Sequence, residues 1–153
     1  MPNWCEGTLK VRGKIKDLKK FVLEGLKPVD VLGNDKEPLK FTDYDGWCEL
    51  DIKNHCYIEN TRRGFVESGY ISFDGDDDEI EIICLECKFA WAISAEELQR
   101  TCQKYGVDMN IYAFECGMEF NQHIEIVAGK IVMDKEIQFE DYRWECPCPN
   151  IGG

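Results

Sequence analysis

Between Asn3 and Val11 the chain alternates. Cys5, Gly7, Leu9 and Val11 hold one parity and Trp4, Glu6, Thr8 and Lys10 the other, the period-two pattern of a strand with one buried face, and Gly13 ends it. The period then changes. Ile15, Leu18, Val22 and Leu26 recur at steps of three and four with Phe21 beside them and Pro28 just beyond, which predicts an amphipathic helix over 14–27. Lys14, Lys16, Lys19, Lys20 and Lys27 lie on or near its polar side.

Residues 28–60 break the rhythm. Pro28, Gly33-Asn34-Asp35, Pro38 and Asp43-Tyr44-Asp45-Gly46 are turn chemistry, and only 47–52 and 56–59 read as short strands. Residues 65–73 predict a strand or hairpin broken near Ser68-Gly69, followed by an acidic turn of Asp74, Asp76, Asp77, Asp78 and Glu79 around Gly75. Residues 80–93, rich in Ile, Cys, Phe and Trp, predict a long central strand. Ser94-Ala95-Glu96-Glu97 has the spacing of a capping box. Leu98, Cys102 and Tyr105 follow at helical steps, and Gly106 is a natural left-handed stop. Strands are expected over 107–114, 120–128 and 138–144, with Ala128-Gly129-Lys130 turning into Ile131-Val132-Met133, and 146–153 as a flexible tail.

The order strand, helix, strand, strand, helix, strand predicts an α+β chain on the ferredoxin-like split βαβ plan. Two helices pack on one face of a mainly antiparallel sheet, with extra C-terminal strands and residues 28–60 inserted after the first helix. The expected organisation is a single domain over 1–145.

Composition narrows the function classes. The 153 residues are 44% hydrophobic and 12% aromatic, which is globular, and the longest apolar runs are only a few residues, too short for a membrane span. Met1-Pro2-Asn3-Trp4 has neither the basic start nor the apolar stretch of a secretory signal, and nine scattered cysteines do not form a small disulfide framework, so a reducing cytoplasm is expected. Thirty acidic residues against 18 basic ones give a net charge of −12, which repels phosphate backbones and anionic lipid; direct nucleic-acid or membrane binding is not expected. The imbalance is uneven. Residues 1–40 carry nine Lys or Arg against six acids, and 41–153 carry nine against 24. Such polarity is compatible with self-association, the Lys-rich first helix of one copy meeting the acidic part of another.

The opening Met1-Pro2-Asn3-Trp4-Cys5, the Gly-containing strand end and helix behind it, Thr61-Arg62-Arg63-Gly64, Ala90-Trp91-Ala92-Ile93 and the stretch from Tyr112 to Phe120 together resemble the YubB-type ferredoxin-like family. Its members are small proteins carried by phages, plasmids and integrative elements. The resemblance covers residues 1–14 and about 61–130. It implies a fold and a mobile-element setting, and no catalytic residues.

Little in the chain has the spacing of a chemical site. Cys84-Leu85-Glu86-Cys87 has zinc-ligand spacing, but inside a strand residues three apart face opposite ways. Cys146 and Cys148 share a side if extended and are the weak metal candidates, with Cys5, Cys48, Cys56, His55 or His123 as conceivable co-ligands. Asp74, Asp76 and Asp78 imitate the start of a calcium loop, yet its sixth position is Glu79 and its twelfth Leu85, so an EF-hand fails. There is no P-loop, dinucleotide fingerprint or hydrolase elbow, hence no expected cofactor and no residue assigned to catalysis.

Arg62-Arg63 is the only Arg pair in an acidic landscape and suits a phosphate or carboxylate, unless the protein's own acids take it. The four tryptophans are expected in or around the core. The expected function is a non-enzymatic, acidic interaction module of a phage or mobile element with a basic protein partner. Its sharp form is an inhibitor lying in the nucleic-acid groove of a host protein, with Asp74, Asp76, Asp77, Asp78 and Glu79 among the contact candidates. A cysteine-based zinc-binding or small-ligand-binding domain is the alternative.

Overall fold

A computed structural model describes all of residues 1–153. The chain forms, in order, β1 (Trp4–Lys14), α1 (Ile15–Lys20) running into a π-helical turn at Phe21–Gly25, β2 (Leu26–Pro28), β3 (Thr42–Tyr44), β4 (Trp47–Ile52), β5 (Cys56–Ile58), β6 (Gly64–Phe73) and β7 (Ile80–Ala90). Then come α2 (Ala95–Tyr105), β8 (Asp108–Glu115), β9 (Phe120–Val127), β10 (Lys130–Gln138) and α3 (Tyr142–Glu145). It is an α+β protein built on an antiparallel sheet of ten strands, ordered β10-β9-β8-β1-β7-β6-β4-β3, with β5 joining β6 to β2.

The alternation read in β1 places Cys5, Leu9 and Val11 inward, completely buried, in one core with Leu18 of α1, Leu98 of α2, Leu85 of β7 and Ile111 of β8. Both longer helices pack on this face, α1 over β1 and β7 and α2 over β8, β9 and β10. The opposite face of the central strands is open and carries Glu6, Thr8, Lys10, Glu86, Lys88 and Tyr112. No helix is long and apolar enough to cross a membrane.

Three local expectations change. The first helix stops being α-helical at Lys20, and Leu26, placed on its apolar stripe, instead pairs with Ile58 as part of β2. Residues 138–144 form no strand: β10 ends at Gln138 and Asp141 caps α3, its carboxylate accepting from the Trp144 amide at 3.3 Å. The capping box of α2 is only half made. Ser94 Oγ accepts from the Glu97 amide at 3.4 Å, but the Glu97 carboxylate turns to the backbone N–H of Arg62 at 3.1 Å. Gly106 closes the helix as expected, at φ +68°, donating its N–H to the Cys102 carbonyl.

The 28–60 insertion builds its own end of the sheet. Strand β6 is continuous, with a bulge between Val66 and Ser68, and changes partners there: its first half pairs with β5 and β7 and its second half, from Gly69, with β4. That hinge is why Ser68-Gly69 reads as a break in the sequence. Inward residues Cys48, Leu50 and Ile52 of β4 join Ile71 and Phe73 of β6, extending the core beneath a second outward-facing surface. Residues 146–153, read as a loose end, lie against the body. Cys146 is buried beside Asn121, and the Gly153 N–H donates to the Trp4 carbonyl at 2.8 Å.

Candidate functional site

The residues singled out in the sequence fall in separate places. Arg62 and Arg63 lie in the turn before β6, facing Trp91, Ser94 and Glu97 across a pocket of about 330 Å³ at the start of α2. The backbone holds the turn: the Ala90 N–H donates to the Arg63 carbonyl, and Trp91 takes a left-handed φ of +70°. Arg63 lies over the Trp4 ring at 5.6 Å, and neither guanidinium has a carboxylate within ion-pair reach.

The acidic loop is placed differently from a free-standing patch. Asp74, Asp76, Asp77, Asp78 and Glu79 are all exposed, but the loop also closes the start of α1. Its Asp77 and Glu79 carbonyls accept from the Lys16 and Ile15 amides, satisfying two N–H groups that a helix start leaves open. Lys16 Nζ pairs with Asp78 at 3.0 Å and Lys14 Nζ at 3.6 Å, and Lys16 holds the Asp78 carboxyl below its ordinary range. The basic first part of the chain therefore meets the acidic part within one molecule.

A third surface was not singled out in the sequence. On β3, β4 and β6 the outward parity carries Tyr44, Trp47, Glu49, Asp51 and Tyr70, opposite the buried Cys48, Leu50, Ile52, Ile71 and Phe73. Tyr44 and Trp47 are cross-strand partners flanking the Asp45-Gly46 turn, and their rings stack at 4.3 Å and 12°. Glu49 sits between two phenols: Tyr44 Oη donates to one carboxylate oxygen at 2.9 Å and Tyr70 Oη to the other at 2.7 Å. Those two hydrogen bonds, the one from Tyr70 the stronger, hold the Glu49 carboxyl below its usual range. The surface was legible in two signals, aromatics on both sides of an Asp-Gly turn and the Trp47, Glu49, Asp51 alternation. Both were masked by the turn-rich composition around them.

The expectation that all four tryptophans belong to the core or its rim is corrected. Trp47, Trp91 and Trp144 are 40%, 59% and 86% exposed. Trp4 is half-buried under Lys88, whose Nζ stands 4.9 Å from its ring centre. Beyond Trp4 the open sheet face forms a groove of about 480 Å³ between Glu6, Thr8, Lys10, Glu86, Lys88 and Tyr112, walled at one end by Ile151. Thr8 Oγ1 donates to Glu86 across it.

The cysteines are free thiols, six of them buried. Burial pushes the Cys5 and Cys102 thiols up to about 12 and Cys56 to about 11. Cys84 points to solvent and Cys87 into the core, as strand geometry requires of the Cys84-Leu85-Glu86-Cys87 run. Cys146 is enclosed by Asn121, Cys148 is half-exposed, and no three His, Cys, Asp or Glu side chains are grouped to hold a metal ion. His55 is bound to Glu67 at 3.0 Å and stacked on Phe65, while the adjacent Cys56 turns into the core. His123 lies beside Tyr112 on the open face.

No family model, curated protein or solved structure matches the chain. Exposed ion pairs contribute no more than about 1 kcal/mol each, so an acidic loop alone supplies attraction over distance and little grip. Grip at an interface comes from aromatic anchors in contact with the partner. The β3-β4-β6 face combines the two, with three exposed aromatics around one carboxylate.

Proposed function

We propose that this chain is a non-enzymatic interaction module whose acidic surface recognises a basic protein. The observation that carries this reading is the clustering of charge along one end of the sheet. Residues 41–52, which contain β3 and β4, hold four acids and no Lys or Arg, and 65–79, which contain nearly all of β6 and the loop after it, hold six acids and again no Lys or Arg. Packed side by side, and with Asp78 paired to Lys14 and Lys16 and Glu67 to Lys88, these segments still leave more unpaired acids than the open sheet face, where Lys10, Arg12 and Lys88 alternate with acids. Such a field speeds encounter with a basic surface and rejects anionic competitors.

The ferredoxin-like plan belongs to the same proposal. Its support is the strand order β8-β1-β7-β6 with α1 following β1 and α2 following β7, to which the other strands of the ten-stranded sheet are added on both sides. The resemblance to phage and plasmid proteins supports the sharper form, an inhibitor of a host nucleic-acid-binding or defence protein. Its carboxylates would stand where phosphates lie, in a reducing cytoplasm.

Affinity capture from a native host at about 50 mM salt, with elution at about 500 mM, tests this. The expected eluate is a basic protein whose capture is blocked by added nucleic acid; a partner that stays bound in high salt and ignores nucleic acid contradicts it. A second reading has one observation in its favour. The pocket between Arg62, Arg63, Trp91 and the start of α2 leaves both guanidinium groups unpaired, which suits a small anionic ligand, and equilibrium dialysis against inorganic phosphate measures that directly.

A further inference from the structure

We propose that the outer face of β3, β4 and β6 is an arginine-reading site. A basic partner lays an arginine side chain between the Tyr44–Trp47 pair and Tyr70, with the Glu49 carboxylate as counter-ion. The inference rests on the interaction reading above and gives it a location and a residue preference.

Three large aromatics stand in solvent on one small strand face: Tyr44 is 47% exposed, Trp47 40% and Tyr70 59%. Nothing in the protein's own core calls for them, because the inward parity of the same strands is already filled by Leu50, Ile52 and Ile71. Exposed aromatic clusters rimmed by polar groups mark contact surfaces. Here the cluster is also ordered beforehand. The Tyr44–Trp47 stack fixes two rings against each other, and the two phenols fix the carboxylate, so little side-chain freedom remains to be lost on binding.

The charge says what binds. Each Glu49 oxygen accepts one phenol and keeps a free lone pair, and an ionised carboxylate accepts about four hydrogen bonds in all. A planar guanidinium donates in a fork to such a pair of oxygens while its flat face rests on an aromatic ring; a compact ammonium does only the first, and less well. Neighbouring Asp45 and Asp51 add negative charge; of the lysines that flank β3 and β4 in the chain, Lys40 and Lys53, the second is turned to Asp51 at 3.6 Å. Other occupants fit poorly. A bare divalent cation wants six or more oxygens and would find one carboxylate already engaged by two hydroxyls. A second copy carries a net charge of −12, and the lysines at its first helix are in part spent on its own Asp78.

The test uses the full chain and two labelled peptides, one alternating arginine with glycine and the other lysine with glycine. Binding is followed by fluorescence anisotropy and mapped by amide and indole NMR shifts. The arginine peptide is expected to bind more tightly, with shifts centred on Trp47, Glu49 and Tyr70. Glu49→Gln and Trp47→Ala should each weaken it by about tenfold or more. Tyr70→Phe keeps the ring and removes one of the hydroxyls orienting Glu49, and should weaken binding by less than Glu49→Gln does. Asp76→Asn on the loop should change it by less than about twofold. Thermal melts matching the parent protein show that the variants are folded. Equal binding of both peptides, or equal losses at Glu49 and Asp76, would overturn the arginine site while leaving the interaction module standing. No binding of either peptide at low salt would overturn both.

Discussion

Glu49 shows how much one side chain's surroundings decide. An isolated surface carboxylate titrates near 4.3, but here two tyrosine hydroxyls donate to its charged form and lower its pKa. Because the folded value lies below the unfolded one, the stability this gives is present at neutral pH and is lost as pH falls through the folded pKa. Carboxyl-detected NMR titration should place Glu49 below an ordinary glutamate, and Tyr70→Phe should return it toward that value; an ordinary titration in the parent protein would show that the phenols do not hold it. The thiols behave oppositely. Burial favours the neutral form at Cys5, Cys56 and Cys102, so a thiol reagent at pH 8 should modify exposed Cys84 first. Peptide mapping that found Cys5 or Cys102 labelled as fast as Cys84 would contradict the packing. Gly7 is fixed by contact, since a Cβ there would come within 2.4 Å of the Tyr112 carbonyl on β8. Gly7→Ala should cost about 1–3 kcal/mol in chemical denaturation, the range of overpacking, and an unchanged midpoint would mean that β1 and β8 pack less closely.

Among the elements, β1 and α2 were legible because each has one partner face and one period. Cys5, Leu9 and Val11 point at the helices along all of β1, and Ser94 and Gly106 bracket α2 with capping chemistry that acts locally. Removing the Ser94 hydroxyl by Ser94→Ala should cost about 1 kcal/mol, read as a lower denaturation midpoint. No change would mean that the Glu97 bond to Arg62 alone secures the helix start. Where the reading failed, a distant partner decided. Leu26 has helical spacing from Val22, but pairing with Ile58 draws it into β2, a contact between residues far apart in the chain. A strand was expected over 138–144, yet the Tyr142 hydroxyl donates to Asn121 of β9 and the chain winds into α3 there. The acidic loop and the Arg pair were visible as composition. Trp47, Glu49 and Asp51 showed as an alternation, but the Glu49 site itself did not, because it needs the Tyr44 and Tyr70 hydroxyls brought to one carboxylate from two other strands, through the Thr42–Glu49 and Asp51–Tyr70 pairings.

At the scale of the molecule, the charge polarity of the sequence is partly consumed by folding. Lys14 and Lys16 meet Asp78, Lys104 meets Glu59 and Lys88 meets Glu67, which leaves the β3-β4-β6 end as the concentrated acidic surface. Attraction between copies through the first helix is thereby weakened, and light scattering should give the same molecular mass at low and high salt. A mass that doubles only at low salt would restore the self-association reading. Recognition of a basic partner through one acidic, aromatic face makes a sharper demand, because screening should loosen the complex while Glu49 and Trp47 still decide its strength. The most direct measurement is the dissociation constant for a captured basic partner, taken from about 50 to 500 mM salt with the parent protein and with Glu49→Gln. A constant that rises steadily with salt, and a variant weaker by about tenfold at every point, are the expected results. An affinity indifferent to salt and to Glu49 would contradict recognition through this face.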